Sequence, residues 1–190
     1  MDNVKGYLAM TGRASFALPA VEEAAGNGTI VTTAALSGLS AGVMTIAAQP
    51  DYPRTLRALL VDANASITSG TLTIFGLDQN GVGIYDVLAF IAAGAQTTVK
   101  AFAKVVSATW ALISGAVTTT NDTLSLGYGA SLGLPAAPNA IYGELVKGEF
   151  NGADDLGALS KTYGLYNPAG TMDGAKAVEV TFNYKVQIPV

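Results

Sequence analysis

The side chains in this sequence that could act as nucleophiles, bases or metal ligands are few. The 190-residue chain contains no histidine and no cysteine. A nucleophilic triad therefore loses its usual base, and thiol nucleophiles, disulfides and zinc thiolate sites are excluded. Ser160 and Lys161 are adjacent, but neighbouring side chains of a strand point to opposite faces, which argues against a serine–lysine pair.

The acidic residues are adjacent at only two places, Glu22–Glu23 and Asp154–Asp155. Both pairs lie beside turn or helix-start signals, where carboxylates commonly accept hydrogen bonds from backbone N–H groups. Glycoside hydrolysis would need two carboxylates held across a cleft, and a spacing in sequence does not predict one.

Two glycine-containing motifs resemble fragments of ligand-binding loops. Asp78-Gln79-Asn80-Gly81 resembles the start of a calcium loop, but Val87 stands where the closing carboxylate would be. Gly127-Tyr128-Gly129 matches part of a phosphate-binding fingerprint, with Leu132 in place of its last glycine. We therefore predict no catalytic, cofactor-binding or metal-binding residue, and a protein that is not an enzyme.

The charge content argues against nucleic-acid binding and leaves two interpretations of the surface. The net charge is −4, and the ten basic residues are scattered apart from Arg54 and Arg57, so binding through phosphate neutralisation is not expected. Charged residues make up only 13% of the chain, against about 25% in a typical domain. Either a protein partner covers part of the surface, or a neutral surface of Thr, Ser, Asn and Gly replaces the missing charges.

No segment of the sequence predicts membrane insertion or export. The longest uncharged apolar stretch, 87–95, is far shorter than the roughly 20 residues of a membrane helix. Met1–Met10 lacks the basic patch and apolar run of a secretory signal. We expect no membrane partner.

Residues 1–28 differ from the rest of the chain and predict an N-terminal arm or a frayed terminus. Pro19 precedes a short stretch, 20–25, that favours one or two helical turns, and Gly26-Asn27-Gly28 ends it.

From residue 29 onward, β signals dominate. Asn80-Gly81 separates two strand-like runs, Thr71–Leu77 and Val82–Ile91, and predicts a tight antiparallel hairpin. Residues 97–113 favour two strands or one bent strand, and residues 139–175 read as a long irregular excursion. Further short strands are expected at 30–33, 43–46, 54–62 and 123–128.

The last strand has the most regular pattern in the chain. From Val178 to Ile188, apolar and polar residues alternate without exception, which is typical of an antiparallel strand with one face on a core. Together these signals predict an all-β fold, an antiparallel β-sandwich or jelly roll over residues 29–190.

The order of these motifs resembles tailed-bacteriophage virion structural proteins, and within them most nearly the capsid decoration (cement) proteins. The matching segments are Pro53-Arg54 through Val61-Asp62-Ala63, Gly70–Gly81, Lys100-Ala101-Phe102, Asp122–Gly129, Leu132–Pro135, and Asp173-Gly174 with the strand that follows. The resemblance covers about residues 50–135 and 172–190, so most of the irregular segment 139–175 is not part of it. It implies a homotrimer on the surface of the capsid that clamps subunits of the major capsid protein, made in the host cytoplasm.

Three functional hypotheses follow. The first is a decoration protein that stabilises the phage head, with residues 1–28 as a strap between subunits. The second is a tail-tube, tail-tip or head–tail connector component, which would form rings of fixed order. The third is a carbohydrate-binding module for host attachment, for which Trp110, Tyr163 and Tyr166 are the candidate aromatic residues.

Overall fold

The computed structural model describes residues 7–18, 28–36, 38–115, 121–135, 141–150, 153–154, 157–172 and 177–189. Over these ranges the regular structure is entirely β, with every strand pairing antiparallel, which confirms the predicted fold class. The strands are β1 Tyr7–Leu18, β2 Val31–Ala35, β3 Gly42–Val43, β4 Arg54–Val61, β5 Ser69–Leu77, β6 Gly83–Phe90, β7 Gly94–Thr97, β8 Lys104–Ser114, β9 Thr123–Gly133, β10 Ile141–Phe150, β11 Ala153–Asp154, β12 Ala158–Ser160, β13 Leu165–Asn167 and β14 Val178–Pro189. Nowhere in these ranges does a helix occur that is long and apolar enough to cross a bilayer.

The strands form three sheets. Sheet I has the order β3-β8-β5-β6, and sheet II has the order β12-β13-β9-β4-β7, with β2 also paired to β9. Sheet III has the order β1-β14-β10-β11.

Sheets I and II pack face to face around the larger hydrophobic core. Leu72 and Ile74 of β5 meet Leu56 of β4 and Leu126 of β9 in one buried cluster. These four side chains have no solvent exposure. Burying an aliphatic side chain of this size contributes roughly 1.5–3 kcal/mol, so this core is the main source of stability for the sandwich.

A second, smaller core joins sheet III to the far end of β9. Leu132 and Leu134 pack with Val178, Val180 and Phe182 of β14, and all five are fully buried. Strand β9 therefore contributes to both cores, because Leu126 lies in the first and Leu132 in the second.

The hairpin predicted around Asn80-Gly81 is confirmed as β5–β6, which pairs from Gly70–Phe90 to Leu77–Gly83. Of the two turn residues, only Gly81 has a positive φ, at 75°. Gly81 N donates to the Asp78 carbonyl and Asp78 N donates to the Val82 carbonyl. This pattern is that of a three-residue loop that ends on a left-handed glycine.

Residues 7–18 of the predicted arm form β1, which pairs with β14 from Tyr7–Pro189 to Leu18–Val178. The predicted final strand is observed as β14, and it is continuous over its alternating residues. The proposed helical turns at 20–25 lie outside the described residues. The pairing of β1 with β14 joins the two ends of the chain, which no local pattern in the sequence specifies.

Within the predicted irregular excursion at 139–175, the structure places four strands, β10 to β13. Strand β10 pairs with β14 with two register shifts, and such bulges break the regular alternation that sequence analysis relies on.

Over residues 97–113, β7 ends at Thr97 and β8 begins at Lys104. Strand β8 carries two register shifts against β5 and is therefore the bent strand of the prediction.

Candidate functional site

The residue pairs weighed for acid–base or nucleophilic chemistry are not assembled into a site. Ser160 ends β12 and Lys161 starts the following turn, while Asp154 is exposed on the two-residue β11. Glu22, Glu23 and Asp155 lie outside the described residues. In the described ranges, no group of three or more acidic residues is placed to hold a metal ion.

The calcium-loop fragment at Asp78 acts as a turn. The Oδ1 atom of Asp78 accepts hydrogen bonds from Asn80 N at 2.8 Å and from Val82 N at 2.9 Å. Its carboxylate is thus used to satisfy backbone N–H groups of the hairpin loop.

The phosphate-fingerprint fragment Gly127-Tyr128-Gly129 lies inside β9 and not in a loop before a helix. A Cβ atom at Gly129 would come within 2.3 Å of Thr55 Oγ1. This glycine therefore permits close packing of β9 against β4, and its carbonyl accepts a hydrogen bond from Arg54 Nε at 3.0 Å.

The three aromatic residues proposed as a sugar platform are separated. Trp110 lies in the first core and Tyr166 in the second, and only Tyr163 is exposed, at 44%. These three residues do not form the exposed cluster that the carbohydrate-binding hypothesis needs, since the inward positions of β8 and β13 bury two of the rings.

Arg54 is the main buried charge, and it connects the two cores. It is fully buried, and its Nη1 atom lies 3.0 Å from Asp51 Oδ1. Its guanidinium carbon lies 4.8 Å from the centre of the Tyr128 ring in the first core. Its Nη2 atom lies 3.8 Å from the sulfur of Met172, which belongs to the second core. We call Arg54 and its contacts Asp51, Tyr128 and Met172 the Arg54 joint. Its role is structural, because the guanidinium group has no access to solvent.

The surface that stands out is the side of sheet I that faces away from the core. We call it the outer face, and it carries exposed apolar side chains from all four strands and from the residue after β6. Among the residues whose side chains the structure describes, twelve large hydrophobic residues are exposed, and seven of them belong to the outer face. They are Val43, Phe75, Tyr85, Val87, Ile91, Val106 and Leu112.

The register of sheet I places neutral residues between these apolar side chains. One row runs across the sheet from Val43 to Thr109, Thr73 and Val87. The next outward positions towards Ile91 are Ala111, Thr71 and Ala89. No charged residue occurs in these rows. At the Phe75 end, Lys104 lies opposite Leu77 and Lys100 contacts Tyr85.

An aromatic pair forms one end of the outer face. The ring centres of Phe75 and Tyr85 are 5.8 Å apart, and the residues are 45% and 55% exposed. The Nζ atom of Lys100 lies 5.0 Å from the centre of the Tyr85 ring and donates to the Tyr85 carbonyl at 2.8 Å. Lys100 therefore covers part of the free edge of β6 with a charge, which is a common way to block edge-to-edge pairing.

The opposite end of the outer face contains a strained residue. Leu112 has a φ of 57° and is 74% exposed. A leucine seldom occupies the left-handed region, and residues held there tend to occur at functional positions. The bulge at this point presents an apolar side chain to solvent at a conformational cost.

A shallow cleft of ≈ 240 Å³ lies near the aromatic end, between the hairpin loop and the turn at 161–164. Gln79 and Lys100 are among the residues that line it. Gln79 Nε2 donates to the Leu134 carbonyl at 2.8 Å, and Lys100 Nζ is bonded to Tyr85. These side chains hold the surrounding loops together, and we assign no ligand to the cleft.

Sequence reasoning missed both the outer face and the Arg54 joint. A signal for the outer face was present, because a hairpin centred on Asn80 sets Phe75 opposite Tyr85 and Thr73 opposite Val87. No comparable signal marked the Arg54 joint, because only Asp51 is near Arg54 in sequence, while its other partners come from β9 and from residue 172.

The fold and this surface define an all-β, antiparallel protein with an unusually neutral exposed sheet. Searches for related proteins found no matching family model, no matching curated protein and no matching solved structure.

Proposed function

We propose that the protein is a structural subunit of a virion, nearest in kind to the capsid decoration proteins of tailed bacteriophages. The outer face of sheet I carries the proposal, since seven large apolar side chains are exposed there among neutral neighbours. Exposed patches of this kind usually mark protein–protein contacts. The motif order at residues 50–135 and 172–190 supports the same class.

The mechanism is the additive burial of apolar surface. Each square ångström of apolar surface that is removed from water contributes about 25 cal/mol. A single contact of this kind is modest, but a shell repeats it at many equivalent sites, and the contributions accumulate through multivalency. Such a subunit stabilises the head without any catalytic step, and the prediction that it is not an enzyme belongs to this proposal.

The strap hypothesis needs a narrower test than removal of residues 1–28. That deletion would also remove β1 and expose the edge of β14 along twelve paired positions. Deleting residues 1–6 alone leaves β1 intact. We expect this shorter deletion to lower occupancy on particles without changing the unfolding midpoint. Unchanged occupancy would remove residues 1–6 from the proposed strap.

Electron microscopy of particles that contain this chain tests the proposal as a whole. Fab fragments raised against the protein provide a label, and unlabelled particles are the control. Label at repeated positions on the head supports a decoration protein, with the trimer implied by the resemblance as the expected unit. Label confined to the tail or neck would support a tail or connector component instead of a decoration protein. Absence of label would contradict both of these hypotheses.

One observation favours carbohydrate binding as a second candidate. The exposed rings of Phe75 and Tyr85 lie 5.8 Å apart, and exposed aromatic rings can pack against the apolar face of a sugar. A glycan array with the wild-type chain and a Tyr85→Ala variant tests it. Binding that the variant loses would support this candidate, and an array without hits would dispose of it.

A further inference from the structure

We infer that strand β1 of one copy pairs with strand β14 of a neighbouring copy, so that an exchange of β1 holds the homo-oligomer together. The inference rests on the proposed function, from which it takes the homo-oligomer. It deepens the strap hypothesis by naming the strand that crosses between copies and the edge that receives it. Three features support it: β1 lies outside both cores, the edge of β14 matches β1, and the connection from β1 to β2 is long.

Strand β1 contributes little to either core. Within the described ranges it pairs with β14 alone. Of its residues with described side chains, none is a buried member of a core, and Ala14 and Leu18 pack against the second core while remaining partly exposed. Strand β1 can therefore leave β14 without opening the first core, to which it contributes no described side chain.

The edge of β14 specifies its occupant. On one side β14 pairs with β10, and on the other it pairs with β1 at twelve consecutive positions without a register shift. Without β1, the backbone groups along that side would lose their partners, so the edge must be filled. The register sets Phe16 opposite Val180 and Leu18 opposite Val178, two apolar pairs that the β1 of any copy reproduces. A neighbour's β1 is thus an occupant for which the structure already shows the complete ladder.

The connection between β1 and β2 is longer than the distance it has to cover. Twelve residues, 19–30, lie between the end of β1 at Leu18 and the start of β2 at Val31. Val31 pairs with Leu126, and Leu18 packs against the core that contains Leu132, which lies six residues further along β9. Six steps of a strand cover about 20 Å, whereas a connection of this length can span roughly 40 Å. The excess length allows β1 to reach β14 of an adjacent copy.

The other outer strands of the described sheets offer no comparable ladder. Strands β2, β3, β7, β11 and β12 contain only two to five residues each. Strand β6 is longer, but its edge is occupied, because Asp86 Oδ2 accepts a hydrogen bond from Val99 N at 2.7 Å and Lys100 Nζ donates to the Tyr85 carbonyl. Among the described strands, exchange of β1 is therefore the route that gives two copies a long shared ladder.

Self-pairing and exchange form the same ladder, so the local concentration of copies decides between them. In a dilute chain, the connection holds β1 near its own β14 and favours self-pairing. In an oligomer, β14 of the neighbour lies within the same reach, and exchange adds a twelve-pair ladder to the contacts between copies. Exchange that runs in one direction around a ring leaves no β14 edge open, and a ring of three agrees with the trimer that the resemblance implies.

Disulfide trapping tests the exchange on the full-length chain. The chain contains no cysteine, so introduced thiols report only on the chosen positions. Ala17 and Glu179 are directly opposite in the β1–β14 ladder, and both are exposed. Opposite Cβ atoms in a sheet lie about 4.5–5.5 Å apart, close to the ~3.5–4.5 Å of a disulfide. We expect oxidation of the oligomer carrying Ala17→Cys and Glu179→Cys to give covalently linked rings on a denaturing gel without reductant.

A mixture of the two single variants, folded together from chains with tags of different mass, distinguishes exchange from self-pairing. Self-pairing keeps the two thiols in separate molecules, whereas exchange sets them opposite each other. The control is a mixture of Ala17→Cys with Thr97→Cys, since Thr97 is exposed on β7 of sheet II and lies outside the ladder. We expect mixed disulfides to form roughly a hundredfold faster than in the control, because the ladder holds the thiols at a millimolar effective concentration.

Chains that become linked only internally, at concentrations where the wild type is oligomeric, would overturn the inference. So would a wild type that is monomeric at every concentration, or mixed disulfides that form no faster than in the control. A predominance of dimers between two Ala17→Cys chains would also overturn it, because it would indicate pairing between β1 edges. If circular dichroism shows that a variant is unfolded, Arg13→Cys and Asn183→Cys, which are opposite each other in the same ladder, replace the pair.

The trapping experiment contains no particle, so its outcome is separable from that of the proposed function. An oligomer without exchange would overturn the inference and leave the location of the protein on the head untouched. A protein that is absent from particles can still exchange β1 between its copies.

Discussion

The two faces of sheet I are built from the same four strands and differ in what covers them. On β5, Ile74 points into the core and is fully buried, while its neighbour Phe75 is 45% exposed. On β6, Leu88 is 6% exposed and its neighbour Val87 is 48% exposed. A half-exposed antiparallel sheet normally alternates apolar with polar residues. Here the outward positions are neutral and partly apolar as well, so the exposed face has the composition of a contact surface.

The largest expected effect is a difference in the free energy of unfolding between a substitution on the inner face of sheet I and one on its outer face. We expect Ile74→Ala to lower the free energy of unfolding by about 2–5 kcal/mol, because it leaves a cavity in the first core. Phe75→Ala, the adjacent outward position, should cost less than about 1 kcal/mol, since it removes a side chain that is 45% exposed. Urea unfolding of both variants measures the difference. Equal losses would mean that the outer face is buried within the folded chain.

The joint between the two cores gives the next largest effect. Asp51 Oδ1 is 3.0 Å from the fully buried Nη1 of Arg54, and the aspartate side chain itself is 23% exposed. We expect Asp51→Ala to destabilise the chain by roughly 2–4 kcal/mol, because it leaves a buried guanidinium group without its carboxylate. Asp51→Asn, which keeps an oxygen acceptor, should cost less. Chemical unfolding checks both variants, and an unchanged midpoint for Asp51→Ala would show that the pair does not stabilise the joint.

The register that assigns residues to the two faces depends on the β5–β6 loop. Gly81 has a φ of 75°, and nothing lies within 4 Å of a Cβ atom placed there. We expect Gly81→Ala to cost about 1–2 kcal/mol through backbone strain alone. Gly83 also has open space but an ordinary φ, so Gly83→Ala should be neutral or slightly stabilising. Similar thermal midpoints for the two variants would contradict this account of the turn.

These comparisons show which parts of the fold local sequence reveals. The hairpin and the alternation of β14 were predictable, because turn chemistry and a period of two are local signals. The pairing of β1 with β14 was not, since it joins Tyr7 to Pro189 across the whole chain. The burial of Trp110 and Tyr166 likewise depends on which face of a strand meets a core, and an unmarked bulge can change that assignment.

Asp62 lies in the loop that connects β4 of sheet II to β5 of sheet I, and it makes the stability of the fold depend on pH. Burial opposes ionisation of Asp62, but hydrogen bonds from the backbone N–H groups of Ile67, Ser66, Asn64 and Ala65 outweigh it and hold the pKa below its ordinary value of 3.8. A lowered pKa in the folded state stabilises the fold above the ordinary value, and this stabilisation is lost as pH falls from 3.8 through the folded pKa.

We therefore expect Asp62→Asn to weaken the dependence of stability on pH in that acidic window. Unfolding midpoints of the wild type and the variant, measured across it, provide the check. Identical slopes would show that the hydrogen bonds from 64–67 do not favour the charged carboxylate.

The most direct test of a covered outer face compares two tyrosines in the same molecule. Tyr85 lies on the outer face and is 55% exposed, while Tyr163 lies off it and is 44% exposed. Hydroxyl-radical footprinting of the chain, free in solution and bound to particles, reports the solvent access of each ring. The account predicts that binding protects Tyr85 and leaves Tyr163 as reactive as before. Equal reactivity of Tyr85 in both states would contradict it.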